Sequence, residues 1–166
     1  MLNPVKTIIA ISAIVVAFGV AAQAQTNEKK EDPSMKEVCN FLKQCGVYYL
    51  ATAEGNQPRV RPFGTAVIYQ NRLYIQTGKR KNVAKQMMAN PKVEICAYDP
   101  SSGKWLRIEA TVVPDERIEA KQFMLDQYPS LKNMYSATDD NTFVLYLSNV
   151  TATFYSFQGE PRVVRF

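Results

Sequence analysis

A chain of 166 residues, 46% hydrophobic and 21% charged, is long enough for one domain with its own core and too apolar for wholesale disorder. It contains no histidine, which excludes hydrolase centres built on an imidazole base, zinc sites with imidazole ligands and the usual acid–base group near neutral pH. The formal net charge of +5 suits an anionic ligand but is too diffuse to argue for nucleic acid.

The first residues have the pattern of an export signal. Lys6 precedes an apolar run over residues 7–20, and Ala22-Gln23-Ala24 has the small-x-small form of a cleavage site. The run is short for a membrane span of about 20 residues. Cleavage after Ala24 is therefore expected over retention as an anchor, with a periplasmic or secreted destination and no membrane attachment afterwards. Residues 25–33 read as a polar linker.

Ser34 is the expected cap of a first helix, with Glu37 completing a capping box. Val38, Phe41, Leu42 and Cys45 fall at i, i+3, i+4 and i+7 on one face, and Gly46 is the stop. Strands are expected over residues 47–53 and 58–69, and again over 72–77 after a Gln70-Asn71 turn. A helix over 81–89 ends at Asn90-Pro91, because proline disfavours helical backbone in the residue before it. Strands over 92–98 and 104–113 follow, then a helix over 116–127 bearing Ile118, Phe123 and Leu125. A short helical turn at 129–135 and strands over 143–147 and 151–157 complete the domain. Seven strands with short links predict one mainly β domain over residues 34–166, an antiparallel barrel with helices over its ends. Cys39, Cys45 and Cys96 read as small apolar fillers rather than a disulfide, metal or redox site.

Three stretches carry chemistry. Alternation along residues 58–69 puts Arg59, Arg61, Phe63 and Thr65 on one face. Two arginines pointing the same way can grip a phosphate or carboxylate, although a solvated edge has the same spacing. The turn Thr77-Gly78-Lys79-Arg80-Lys81-Asn82 lies between a strand and a helix. Gly78 permits an unusual backbone there, the three cations supply charge, and Thr77 or Asn82 can donate. The helix that begins here offers unpaired N–H groups and the positive end of its dipole. A phosphate site and a merely solvated turn are about equally compatible with this pattern. In the strand over 104–113, Leu106, Ile108, Ala110 and Val112 form the core face. The only tryptophan, Trp105, then shares the polar face with Arg107 and Glu109, where a large aromatic needs a cover. The helix over 116–127 or a partner would supply it.

Residues 46–95, GVYYLATAEGNQPRVRPFGTAVIYQNRLYIQTGKRKNVAKQMMANPKVEI, together with KWLRIEATVV and YPSLKNMYS, resemble the pyridoxamine 5′-phosphate oxidase-like flavoproteins. The likeness is nearest to the short nitroimidazole-reductase-like and general-stress-protein subgroup, and it spans about residues 35–157. The resemblance implies an FMN-binding split β-barrel, with FMN in a groove between two identical subunits. It implies that Arg59, Val60, Arg61, Pro62 and Phe63 run along the flavin, with Gln76 and Thr77 beside it. Arg80 and Lys81 correspond to the phosphate-binding basic pair, with Lys79 and Asn82 as neighbours, and Trp105 to the position where the partner reaches the flavin. The chain has no clear equivalent of the C-terminal segment with which the full-length oxidases contact pyridoxal phosphate. It also lacks the histidine of some nitroimidazole-reductase-like relatives.

The function expected is that of an exported, homodimeric FMN oxidoreductase acting on a small molecule. No residue stands out as a general acid or base among Tyr49, Tyr69, Tyr74 and Lys104. The rival is a non-catalytic flavin or haem carrier or stress-protection module on the same barrel, whose haem would need a Tyr, Met or Cys ligand. Nucleic-acid binding is not expected, since no stripe of interleaved aromatic and basic residues is present.

Overall fold

The computed structural model describes residues 31–166; the expected export signal and most of the linker lie outside the described residues. The first helix, α1 (Pro33–Cys45), is capped by Asp32 rather than Ser34. The Asp32 carboxylate accepts the Ser34 N–H at 2.8 Å. Pro33 takes the first helical position, where its missing N–H costs nothing. Glu37 forms no capping box but pairs with Arg162. Met35, Val38, Cys39 and Leu42 are the buried face, and Gly46 ends the helix at φ 69°, a left-handed geometry that glycine adopts without penalty.

One sheet holds eight strands. These are β1 (Tyr48–Glu54), β2 (Gln57–Phe63), β3 (Val67–Tyr69), β4 (Arg72–Gly78), β5 (Lys92–Asp99), β6 (Lys104–Asp115), β7 (Thr142–Tyr155) and β8 (Arg162–Arg165). Their order is β2-β1-β5-β6-β7-β4-β3, with β8 added against β7, and every pairing is antiparallel. The edges β2 and β3 stand at opposite ends of this path, yet only residues 64–66 separate them in the chain. Three residues span about 10 Å, so the sheet curls until its edges approach, and it stays open there. Leu50, Ile75, Ile95, Ile108 and Leu145, from five different strands, are all fully buried in one cluster, as a curled sheet requires. The result is the split antiparallel barrel that the sequence predicts, with α2 (Asn82–Ala89) and α3 (Ile118–Gln127) beside it.

Three strand assignments differ from expectation. The single strand over 58–69 is two strands, because the 64–66 connection bonds to side chains instead of a neighbouring strand. The Tyr48 hydroxyl donates to Thr65 O at 2.7 Å, and the Tyr128 hydroxyl accepts the Ala66 N–H at 2.9 Å. The strands over 143–147 and 151–157 are one strand, β7, which passes its expected turn as a bulge. The register against β6 shifts between Glu109 and Thr111, and Asn149 supplies the left-handed residue at φ 52°. The charged tail also forms β8, paired with Thr151–Phe154. In α3, Ile118 is exposed, and Ala120, Lys121, Met124 and Leu125 face inward.

Candidate functional site

Tyr48, Leu50 and Thr52 point into the barrel from β1 and lie opposite Phe63, Arg61 and Arg59 of β2. Directly paired residues share a face, so both arginines and Phe63 point inward, as their alternation predicts. Val60 points out and is 64% exposed. The two arginines differ in use. Arg59 lies in the open and pairs with Glu54 at 2.8 Å. Arg61 donates to Thr52 Oγ1 at 2.8 Å and to Gln86 Oε1 of α2 at 2.7 Å, and also to the Leu50 and Arg59 carbonyls. Burial lowers its pKa, as does the neighbouring Arg59 charge, but a guanidinium stays protonated. Both of its terminal nitrogens are thus engaged within the chain.

Past the end of β2, a cleft of about 310 Å³ opens at the seam between the sheet edges. Pro62, Phe63, Gly64 and Thr65 form one side. Gln76 and Thr77, at the end of β4, form the floor, and Lys81 stands at the entrance to α2. The opposite wall is the segment after α3, with a 3₁₀ turn at Pro129–Asn133 and side chains from Tyr128 to Tyr135. Thr65 locks the floor by accepting the Gln76 N–H on its hydroxyl at 2.9 Å.

Gln76 is the anomaly of this cleft. Its side chain is buried, at 6% exposure, yet among the described residues neither its amide nitrogen nor its amide oxygen has a hydrogen-bond partner. Burying an unpaired amide costs about 1–3 kcal/mol, and native proteins keep few such groups. Gln76 lines the cleft, so a turn of its side chain would present the amide to a ligand with both an acceptor and a donor.

The basic turn divides its charges. Lys79 pairs with Glu116 at 2.7 Å and Arg80 with Asp140 at 2.8 Å, both at the surface. The N–H groups of Lys79 and Arg80 are held by Asn141, through its carbonyl and side chain. Gly78 does not have positive φ, so the unusual backbone expected of it is absent. Its lack of a side chain matters for another reason: a Cβ would lie 3.1 Å from the Tyr135 hydroxyl and 3.3 Å from Asn141 Oδ1. Lys81 borders the cleft, and among the described residues it has no carboxylate partner. It is also the N-cap of α2, and no side chain caps that end. The first N–H groups of the helix thus remain available to an anion. Asn82 is the first residue of that helix.

Of the expected site residues, the cleft gathers Pro62, Phe63, Gln76, Thr77 and Lys81. Arg59, Val60 and Arg61 lie further back on β2, and Lys79 and Arg80 turn aside. Trp105 is remote in the same chain. It pairs with Tyr155 at one end of β6, whereas Asp115 at the other end pairs with Val144, which pairs with Gln76. The separation along β6 is roughly 30 Å at about 3.3 Å per residue. Trp105 is not covered by α3. It stacks on Tyr155, with centroids 5.2 Å and planes 5° apart, and meets Phe157 at 5.4 Å. The cleft wall at Tyr128 and Tyr135 is not apparent from strand periodicity, because helical turns bring it across from beyond α3. Of the candidate acid–base residues, Tyr74 donates to Asp115 at 2.8 Å and is pushed up to about 12 by burial and that carboxylate. Tyr69 stacks on Phe123, and Tyr49 and Lys104 lie on the exterior. None of the four borders the cleft. Cys39 is a buried filler, as expected, but Cys96 is exposed on the outer face opposite Tyr49.

The family model described as pyridoxamine 5′-phosphate oxidase matches residues 34–128. Among solved structures, a NimC/NimA family protein from Clostridium acetobutylicum is 47% identical, with a TM-score of 0.77 over 80% of this chain and 92% of that one. A pyridoxamine 5′-phosphate oxidase-related, FMN-binding protein from Nostoc punctiforme shares the fold at 16% identity, with a TM-score of 0.57 over 81% of this chain and 97% of that one. A haem-binding protein from Mycobacterium smegmatis does so at 14% identity, with a TM-score of 0.64 over 81% of this chain and 59% of that one. No curated protein matches the sequence.

Proposed function

The chain belongs to the pyridoxamine 5′-phosphate oxidase family, and from that premise we propose that it is an exported FMN-binding oxidoreductase that works as a homodimer on a small molecule. The observation that carries this reading is the orphaned amide of Gln76 in the same cleft as Lys81 and the uncapped start of α2. Those residues fit FMN. Lys81 and the α2 N–H groups suit its phosphate, and the Gln76 amide suits a neighbouring group that both donates and accepts. Phe63 offers an apolar side. Bound there, the flavin supplies the electron-carrying ring. The chain orients it and shields it from water. No histidine is available, and among the described residues no carboxylate lines the cleft, so proton transfer at this site would fall to a hydroxyl such as that of Tyr135 or to solvent.

The homodimer part of this reading draws its support from the outer face of the sheet. Register places Pro62, Tyr49 and Cys96 in one row across β2, β1 and β5, and Tyr98, Trp105 and Tyr155 in the next across β5, β6 and β7. Tyr49 and Tyr98 are each about half exposed. Large aromatics on an outer face, here beside the Arg107–Glu94 ion pair, want a partner, and a second copy would bring its Trp105 towards a cleft that its own chain's Trp105 does not approach. Export rests on Lys6, the apolar run and Ala22-Gln23-Ala24; the mature exported protein should begin at Gln25.

The test is the visible spectrum of protein purified after FMN supplementation, followed by titration of the apo form with FMN and riboflavin. A flavin spectrum with clear preference for FMN supports the reading, and NAD(P)H reduction with reoxidation by an acceptor supports catalysis. A haem spectrum would instead favour the carrier reading, for which Met134 and Tyr135 border the cleft. Colourless protein with no affinity for either flavin sinks the proposal.

A further inference from the structure

Arg61 lies on the same face of β2 as Phe63 of the cleft but outside the cleft lining, and both of its terminal nitrogens are engaged within the chain. One guanidinium nitrogen donates to Leu50 O, Thr52 Oγ1 and Arg59 O, and another to Gln86 Oε1. The Thr52 hydroxyl donates to the same Gln86 oxygen at 2.7 Å. Gln86 is buried, at 7% exposure. It lies one turn into α2 from Asn82, whose helix start borders the cleft through Lys81. The rest of the buried face of α2 is Val83, Ala84 and Met87. Apolar packing of that kind is non-directional and tolerates small slides of the helix. The Arg61–Thr52–Gln86 knot is directional: it joins β2, β1 and α2 through one planar fork, whose geometry a lysine does not reproduce.

We infer that Arg61 is a positioning residue: it fixes α2 against the β1–β2 hairpin so that Lys81 and the helix N-terminus meet the anionic end of the ligand. The inference deepens the FMN reading and rests on it for the identity of the anion. It separates the two inward arginines of β2, since Arg61 acts through Gln86, whereas Arg59 has only a surface ion pair to surrender.

Arg61→Lys, Gln86→Leu and the double variant, all in the full-length mature protein, test it with two readouts. The first is hydrogen–deuterium exchange of the α2 amides without ligand. Both single variants should speed exchange in α2, while the β6–β7 amides keep wild-type protection. The second is the dissociation constant for FMN and for riboflavin. Each single variant should raise that for FMN roughly tenfold, the scale of one charge-assisted hydrogen bond, and leave riboflavin unchanged. The double variant should lose no more than the worse single one. Unchanged α2 exchange, additive losses, or a Gln86→Leu variant with wild-type FMN affinity would overturn the inference, the last two by making Arg61 a direct ligand. Equal losses for both flavins would also overturn it, by making the knot a general support. If the wild type does not prefer FMN to riboflavin, the FMN reading fails, and the exchange arm still decides whether Arg61 holds α2.

Discussion

Gln76 and Lys81 make opposite contributions to the empty and loaded protein. The buried Gln76 amide has no partner, so Gln76→Leu should raise the stability of the apo protein by about 1 kcal/mol, the low end of the penalty for an unsatisfied amide. The same change should weaken FMN binding. Denaturant melts of the apo form beside a flavin titration check the pair of signs; a variant that loses apo stability would mean the amide has a partner after all. Lys81→Ala should cost FMN about 1.5–3 kcal/mol, roughly a 10- to 150-fold loss of affinity, with riboflavin unaffected. Equilibrium dialysis with both flavins measures this. The basic turn was legible in the sequence as a cluster of charge. Which cation faces the cleft was not, because Glu116 and Asp140, which take Lys79 and Arg80, lie far along the chain.

At the scale of elements, two local devices hold strands and helices in register. Asn149 at φ 52° forms the bulge that lets β7 run as one long strand. Asparagine tolerates that backbone and a β-branched residue does not. Asn149→Gly should be nearly neutral and Asn149→Val should cost about 1–2 kcal/mol in urea unfolding. The sequence shows Asn149 between two apolar runs, which reads equally as a turn; only its pairing with β6 distinguishes a bulge. The second device sits where β6 hands over to α3. Asp115 is buried and accepts from Arg117 and from Tyr74 of β4. The Arg117 guanidinium is the main cause that holds its carboxyl down at about 2. A depressed folded pKa stabilises the protein above the unfolded value of about 4, and that stability is lost as pH falls through about 2. The contribution is about 2 kcal/mol. Asp115→Asn should therefore flatten the decline of stability between about pH 4 and pH 2, measured by denaturant unfolding at a series of pH values. An unchanged slope would show that Asp115 does not titrate differently on folding.

At the scale of the molecule, dimerisation and flavin binding should be coupled. One chain carries the cleft and the half-exposed aromatic row at well-separated places on the sheet, and a second copy could bring the two together. FMN should then raise dimer stability, and dilution to monomer should release it. Trp105 is the only tryptophan, so its emission should be quenched when FMN joins the apo dimer. Trp105→Ala should weaken both association and FMN affinity. A stable monomer that binds FMN tightly with unchanged Trp105 emission contradicts the arrangement.

The sequence by itself determined the domain type, most of the elements and the inward faces. Period-two alternation survives in the buried pattern of β6, where Leu106, Ile108, Ala110 and Val112 face the core. Short local signals such as Gly46, Asn90-Pro91 and the Gln70-Asn71 turn mark boundaries, because backbone preference acts within a few residues. The tertiary structure decided what depends on partners distant in the chain. It closed Arg61 onto Gln86, stacked Trp105 on Tyr155, and set the Tyr128–Tyr135 segment across from Gln76. Periodicity states which way a side chain points, but hydrogen-bond donors and aromatic faces are claimed by whatever the curled sheet brings within about 3–5 Å. That is why Arg59 and Arg61, two residues apart and on the same face, have different uses.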